Sequence, residues 1–153
     1  YQALHVATKA KVVEELASGG SVIGVLEALL RLRQVCAHPA LVPGFAHAGE
    51  TDAFELSSKL ELLREQVEES LALGHHILIF SQWTSFLDLV EKVLTPMGVD
   101  YLRLDGSTPN RGEVIERFQD PRGPRVMILS LKAGGVGLTL TKADHVIILD
   151  PWW

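Results

Sequence analysis

Four short apolar runs constrain this chain more than any other feature in it. They are Ile77–Phe80, Tyr101–Leu104, Val126–Leu129 and Val146–Leu149. Segments of helical period lie between the first three. Ser85–Leu94 carries Phe86, Val90 and Val93 on one side. Val114, Ile115 and Phe118 line the segment after Thr108-Pro109, which reads as an N-cap and a first-turn proline. Runs this short and this apolar leave no wet face, so the strands are expected to be buried on both sides. Strands alternating with helices predict an α/β fold: a parallel sheet, right-handed crossovers and helices on both faces.

The residues before this sheet follow a different pattern. Leu4, Val12, Val13 and Leu16 keep a helical spacing that stops at Gly19-Gly20. Ser21 is an expected N-cap for a second helix bearing Val22, Leu26, Leu29, Leu30 and Val35, which Pro39 ends. Residues 1–41 therefore read as a helical appendage. Residues 42–55 contain Pro43, Gly44 and Gly49 and have no period, so a linker is expected there. Ser58 with Glu61 forms a capping box for a helix on Leu60, Leu63, Val67 and Leu71. Residues 56–153 then form one lobe. The chain begins at Tyr1 and stops at Trp152-Trp153 directly after a strand, so the lobe is expected to be incomplete and part of a longer protein.

Bulk properties exclude some classes. Apolar content of 47% is too high for disorder. No apolar run approaches the ~20 residues of a membrane span, so no membrane partner is expected. A single cysteine, Cys36, cannot form an internal disulfide, which fits an intracellular setting, cytoplasm or nucleoid in a bacterium and nucleus in a eukaryote. The net charge of −5 opposes a free-standing nucleic-acid binder but not a local DNA contact.

In open parallel sheets, ligands meet the carboxyl ends of the strands. Here that edge collects Ser81-Gln82-Trp83, Asp105-Gly106-Ser107-Thr108, Ser130-Leu131-Lys132-Ala133-Gly134-Gly135 and Asp150-Pro151-Trp152-Trp153. Glycines at 134, 135 and 137 let backbone N–H groups approach an anion, and Lys132 adds a cation suited to phosphate. A tight turn that binds nothing is an equal alternative for this loop. Ser81 and Thr108 also fit plain helix starts, and the tryptophans also fit packing. The loop is not a Walker A motif, and no G-x-x-x-x-G-K-[ST] or Asp-Glu pair exists in the chain. Cys36 with His38 does not complete a tetrahedral metal site, and a buried structural Cys36 is expected. His75-His76 has no carboxylate nearby in sequence and reads as a solvated turn. No metal site and no catalytic residue is expected within the chain.

Taken in order, LRQVCAHPAL (32–41), SSKLELL (57–63), ILIFSQWTSFLDLVE (77–91), YLRLDGSTPNR (101–111) and the stretch 126–153 resemble the second RecA-like lobe of SWI/SNF-type (sucrose-non-fermenting) DNA-dependent ATPases of helicase superfamily two. The resemblance covers most of residues 21–153. It implies motif IV at 77–83, its companion at 104–111 and motif V at 129–140, with the arginine-bearing motif VI beyond Trp153. It implies that Ser81, Gln82, Gly106, Ser107, Ser130, Lys132, Gly134 and Trp153 face DNA, and that Gly135, Gly137 and Leu138 lie towards the nucleotide. Two positions depart from the family pattern. Arg111 comes about two residues early, and Thr139 stands where many relatives have asparagine.

The resemblance further implies an ATP hydrolase and helicase-like double-stranded DNA translocase, or a chromatin-remodelling ATPase acting on DNA-bound protein complexes. ATP and Mg²⁺ would be held mainly by the first RecA-like lobe of such an enzyme, so the chain alone is expected to be inactive. A non-catalytic module that docks on nucleic acid or protein is the alternative. A dinucleotide-binding Rossmann domain is weaker, because no acidic residue follows Gly137 at ribose-binding distance.

Overall fold

The computed structural model describes residues 22–43, 57–134 and 137–150. The chain divides into two compact units between Leu56 and Ser57. In the first, helix α1 (Val22–Ala37) is followed by a 3-10 turn at Pro39–Leu41. His38 starts that turn from an extended backbone, and its Nδ1 accepts the Ala40 N–H at 3.1 Å. His38 is buried and acts as a cap, while Cys36 is exposed, against the expectation of a buried thiol. Leu26 and Leu29, expected on the apolar face of α1, are exposed too. The expected helix over residues 4–16, the cap at Ser21 and residues 44–55 of the expected linker lie outside the described residues.

The second unit runs α2 (Ser58–Ala72), β1 (Ile77–Ser81), α3 (Thr84–Leu94), β2 (Tyr101–Leu104), α4 (Arg111–Gln119), β3 (Val126–Ser130), α5 (Leu131–Gly134) and β4 (His145–Ile148). The sheet order is β2-β3-β1-β4, and every neighbouring pair is parallel, as expected. Ile77 stands opposite both Val126 and His145, so all strands start at one edge and finish at the other.

Two caps differ from the sequence pattern. Ser57, not Ser58, caps α2, its Oγ accepting the Leu60 N–H at 3.4 Å. Glu61 therefore falls one place too late to complete a capping box, although its charge still favours the first turn. Thr108 caps no helix. Its Oγ1 accepts the Asp105 N–H at 2.9 Å, and α4 starts later, at Arg111.

Strand alternation sends side chains to two layers. Leu78, Leu102, Leu104, Met127 and Leu129 pack with Phe118, Val114 and Ile115 of α4. Ile77, Ile79, Val126 and Ile128 point the other way, where α3 contacts β1, β3 and α2. Right-handed crossovers explain the split. The chain steps from β1 over β3 to β2 and returns to β3, so α3 and α4 take opposite faces. Burying each such Leu, Ile or Phe stabilises the fold by roughly 1.5–3 kcal/mol relative to exposure. Strand β3 is buried along its whole length. Strand β4 corrects the expectation of two buried faces: Val146 and Ile148 are 60% and 61% exposed. No helix among the described residues is long and apolar enough to cross a membrane.

Candidate nucleic-acid interface

The carboxyl edge is held together by two buried carboxylates. The first is Asp150, just after β4. Its Oδ2 accepts the Ser81 hydroxyl at 2.5 Å, and its Oδ1 accepts the Gln82 N–H at 2.9 Å. Ser81 Oγ also accepts the Trp83 N–H at 3.0 Å. Strands β1 and β4 are neighbours with their ends in register, so a residue just past β4 reaches the turn just past β1. Ser81 is fully buried, so its hydroxyl shapes this turn from within. The Trp83 indole N–H is buried with no hydrogen-bond partner among the described residues.

The second carboxylate is Asp105, just after β2. Its Oδ1 accepts both the hydroxyl and the N–H of Ser107, at 2.6 and 2.8 Å. Its Oδ2 accepts Arg103 Nε at 2.7 Å. The Ser107 hydroxyl bond, with its N–H and the Arg103 cation, holds the Asp105 carboxyl below the usual range, against the opposing effect of burial. Arg103 also bonds Asp88 and Glu91 of α3 at 2.7 and 2.9 Å. Burial disfavours its charge, yet the bonds to Asp88 and Asp105 and the nearby Glu91 raise its pKa above the usual value. Gly106 and Ser107 are exposed at the tip of this turn.

The turn after β3 is a short helix. Ser130 Oγ accepts the Ala133 N–H at 3.2 Å, which starts α5, and Ser130 is buried. Lys132 is exposed on α5, and Gly134 ends it. Arg111 Nη2 donates to Ala133 O at 2.8 Å, so the first residue of α4 ties the β2 turn to α5. This is a contact for the arginine whose position departs from the family pattern. Gly137 has φ +66°, a left-handed conformation in which a side chain would be strained. Leu138 is half-buried and packs against the α4-side core. Thr139 uses its carbonyl to accept Gln119 Nε2 at 3.1 Å. Gly135 and Trp153 lie outside the described residues.

Gln82, Gly106, Ser107, Lys132 and Gly134 thus share one edge with the buried Ser81 and Ser130. Asp105 and Asp150 were placed on this edge from sequence but given no part in holding it together, and Arg103 was not singled out. One signal for Arg103 was legible. An arginine inside an apolar strand needs anionic partners, and Asp88 and Glu91 stand three apart on one helix face. Nothing local marks Asp150, because its partners lie 68 and 69 residues away.

Residues 58–153 match the family described as helicase conserved C-terminal domain. Protein CHROMATIN REMODELING 24 of Arabidopsis thaliana is 40% identical over 111 residues, which cover 68% of this chain and 10% of that protein. DNA repair protein RAD5 of Cryptococcus neoformans is 46% identical over 102 residues, 63% of this chain and 8% of that protein. The chain therefore spans about a tenth of the length of these curated relatives. The Sulfolobus solfataricus SWI2/SNF2 ATPase C-terminal domain superposes with a TM-score of 0.78 at 30% identity, covering 99% of this chain and 68% of that one. The core of that ATPase in complex with dsDNA superposes with a TM-score of 0.77 at 28% identity, covering 98% of this chain and 33% of that one. The fold and these matches agree, and the chain belongs to the helicase C-terminal family as part of the RecA-like C-terminal lobe of SWI2/SNF2 ATPases.

Proposed function

We propose that this lobe is the DNA-gripping half of an ATP-driven double-stranded DNA translocase or remodelling ATPase. The observation that carries the proposal is the shared edge itself. Asp150 sets the turn after β1, Asp105 sets the turn after β2, and Arg111 ties that turn to α5. Exposed Gly106, Ser107 and Lys132 are thereby presented from rigid supports. Backbone N–H groups, hydroxyls and one lysine contact phosphates without reading sequence, and such a grip can be released and remade in each step. The solved relative bound to dsDNA supports the same use of the fold.

The residues present do not fit Mg²⁺. Asp105 and Asp150, the buried carboxylates of this edge, already accept protein donors, and the chain has no Walker A loop. The parts that hold ATP phosphates and Mg²⁺ belong to a first lobe, and the chain alone is inactive. We assign Gly137 and Leu138 to the side that closes over nucleotide; Gly135, expected there from the family resemblance, lies outside the described residues.

The test is Lys132→Ala in the full-length protein. DNA affinity should fall to a similar extent on all sequences, and the salt slope should drop by roughly 1. DNA-stimulated ATPase should fall while the basal rate holds. Gly134→Val should do more harm, because a side chain there keeps backbone N–H groups away from a phosphate. An unchanged response to DNA in both variants, with the fold intact by circular dichroism, would return α5 to a structural turn.

A further inference from the structure

The opposite, amino edge of the sheet carries a cluster that the DNA-facing role does not use. His75 and His76 lie just before β1, and Asp144 and His145 lie at the start of β4. The parallel register that sets Ile77 opposite His145 brings them together across 69 residues of sequence. His75 Nδ1 lies 2.8 Å from Asp144 Oδ2, and His145 Nδ1 lies 3.2 Å from Asp144 Oδ1. The two rings face each other with centroids 3.9 Å apart. The expectation of a solvated turn with no carboxylate nearby in sequence holds as far as it went, since the His75–Asp144 contact is exposed. The carboxylate was present but distant in sequence.

We infer that His75, Asp144 and His145 form a three-ligand site for a borderline transition-metal cation of the zinc class, which staples edge strand β4 to the start of β1. The donor set is two imidazoles and one carboxylate, which suits zinc and not the oxygen-seeking Mg²⁺ or Ca²⁺. One donor atom from each residue lies within 4.8 Å of the others. Tetrahedral zinc needs donors about 3.3 Å apart, from metal–ligand distances near 2.0–2.1 Å, so small side-chain shifts suffice. The carboxylate is already oriented, because Asp144 Oδ1 accepts the His76 N–H at 2.8 Å. The nearby cations have acceptors of their own. Arg125 bonds Leu71 O at 3.0 Å, and Lys142 bonds Asp120 O. Three protein ligands leave a fourth position to water or to another donor.

The consequence falls on β4. Among the described residues it pairs only with β1, and it carries the exposed Val146 and Ile148. A metal bridging residues 75 and 144–145 closes a long loop at the point where both strands begin, and metal binding of this kind adds to folding stability.

The test uses full-length protein stripped with a chelator and dialysed against micromolar Zn²⁺. His75→Gln, which can still hydrogen-bond Asp144, and His145→Gln should each hold one equivalent of zinc fewer than wild type by atomic emission. Zn²⁺ but not Mg²⁺ should slow hydrogen exchange in peptides covering 144–150 of the wild type, and not in the variants. Equal zinc content in wild type and both variants would overturn the site. So would β4 exchange that zinc leaves unchanged, or a difference that appears only at millimolar zinc.

Discussion

The two edges of one sheet use carboxylates in opposite ways. At the carboxyl edge, Asp105 and Asp150 are each 3% exposed, and both oxygens of each accept donors from the chain. At the amino edge, the Asp144 side chain is 51% exposed and its close side-chain partners are two histidines. A buried charge is tolerable only when its surroundings satisfy it completely, so a buried carboxylate becomes part of the scaffold. An exposed one contributes little to stability through its ion pairs and stays available to a ligand. Location in the fold, not residue type, sets the role.

The comparison breaks first at Asp150. Asp150→Ala leaves the buried Ser81 hydroxyl and the Gln82 N–H without their acceptor, and should cost about 2–4 kcal/mol of local stability. Hydrogen exchange over residues 77–83 of the full-length protein measures it. A loss within ±0.5 kcal/mol, the range of an ordinary surface substitution, would show that the clamp is not scaffold.

A smaller effect is expected at Asp105. Asp105→Asn keeps an oxygen for Ser107 but loses the ion pair with Arg103, and should cost about 1–2 kcal/mol at neutral pH. The sign of the pH dependence follows from the depressed pKa. The folded carboxyl sits below its ordinary 3.8, so the stabilisation is complete above that value and is lost as pH falls through the folded pKa. Denaturant unfolding of wild type and variant from about pH 7 to pH 3 should show the two curves converging only at the acid end. A gap that is constant across this range would mean that the charge is not what Asp105 contributes.

The smallest effect sharpens the contrast. Asp144→Asn lies at the far edge, and should leave DNA-stimulated ATPase of the full-length protein at the wild-type rate. A drop comparable with that of Lys132→Ala would join the two edges into one functional surface and remove the distinction.

Much of the architecture was legible before any coordinates. The apolar runs at 77–80, 101–104 and 126–129 became strands at those places, and all four strands are parallel, because apolar runs separated by helical periods have few other solutions. The ends were less legible. Thr108 looked like a cap because Thr before Pro commonly is one, but its hydroxyl is drawn to Asp105, whose turn has the stronger claim on it. Val146 and Ile148 looked doubly buried because composition reports the apolar character of a strand, not which neighbours cover it. For the candidate interface, the sequence order of the loops placed Gly106, Ser107 and Lys132 on one edge. It did not show that the Ser81 and Ser130 hydroxyls are turned inward to hold the edge in shape.

By itself, then, the sequence determined the local and periodic features: helix faces, strand segments, glycine turns and the carboxyl edge that gathers them. These follow from near-neighbour sterics and hydrophobic period, which act over a few residues. Only the tertiary structure decided the strand order β2-β3-β1-β4, and with it every long-range polar contact. Placing β4 beside β1 brings Asp150 to Ser81 at one edge and Asp144 to His75 at the other. A hydrogen bond or metal ligand set is defined by distances of about 3 Å in space, and separations of 68 or 69 residues along the chain leave no trace of it in local pattern.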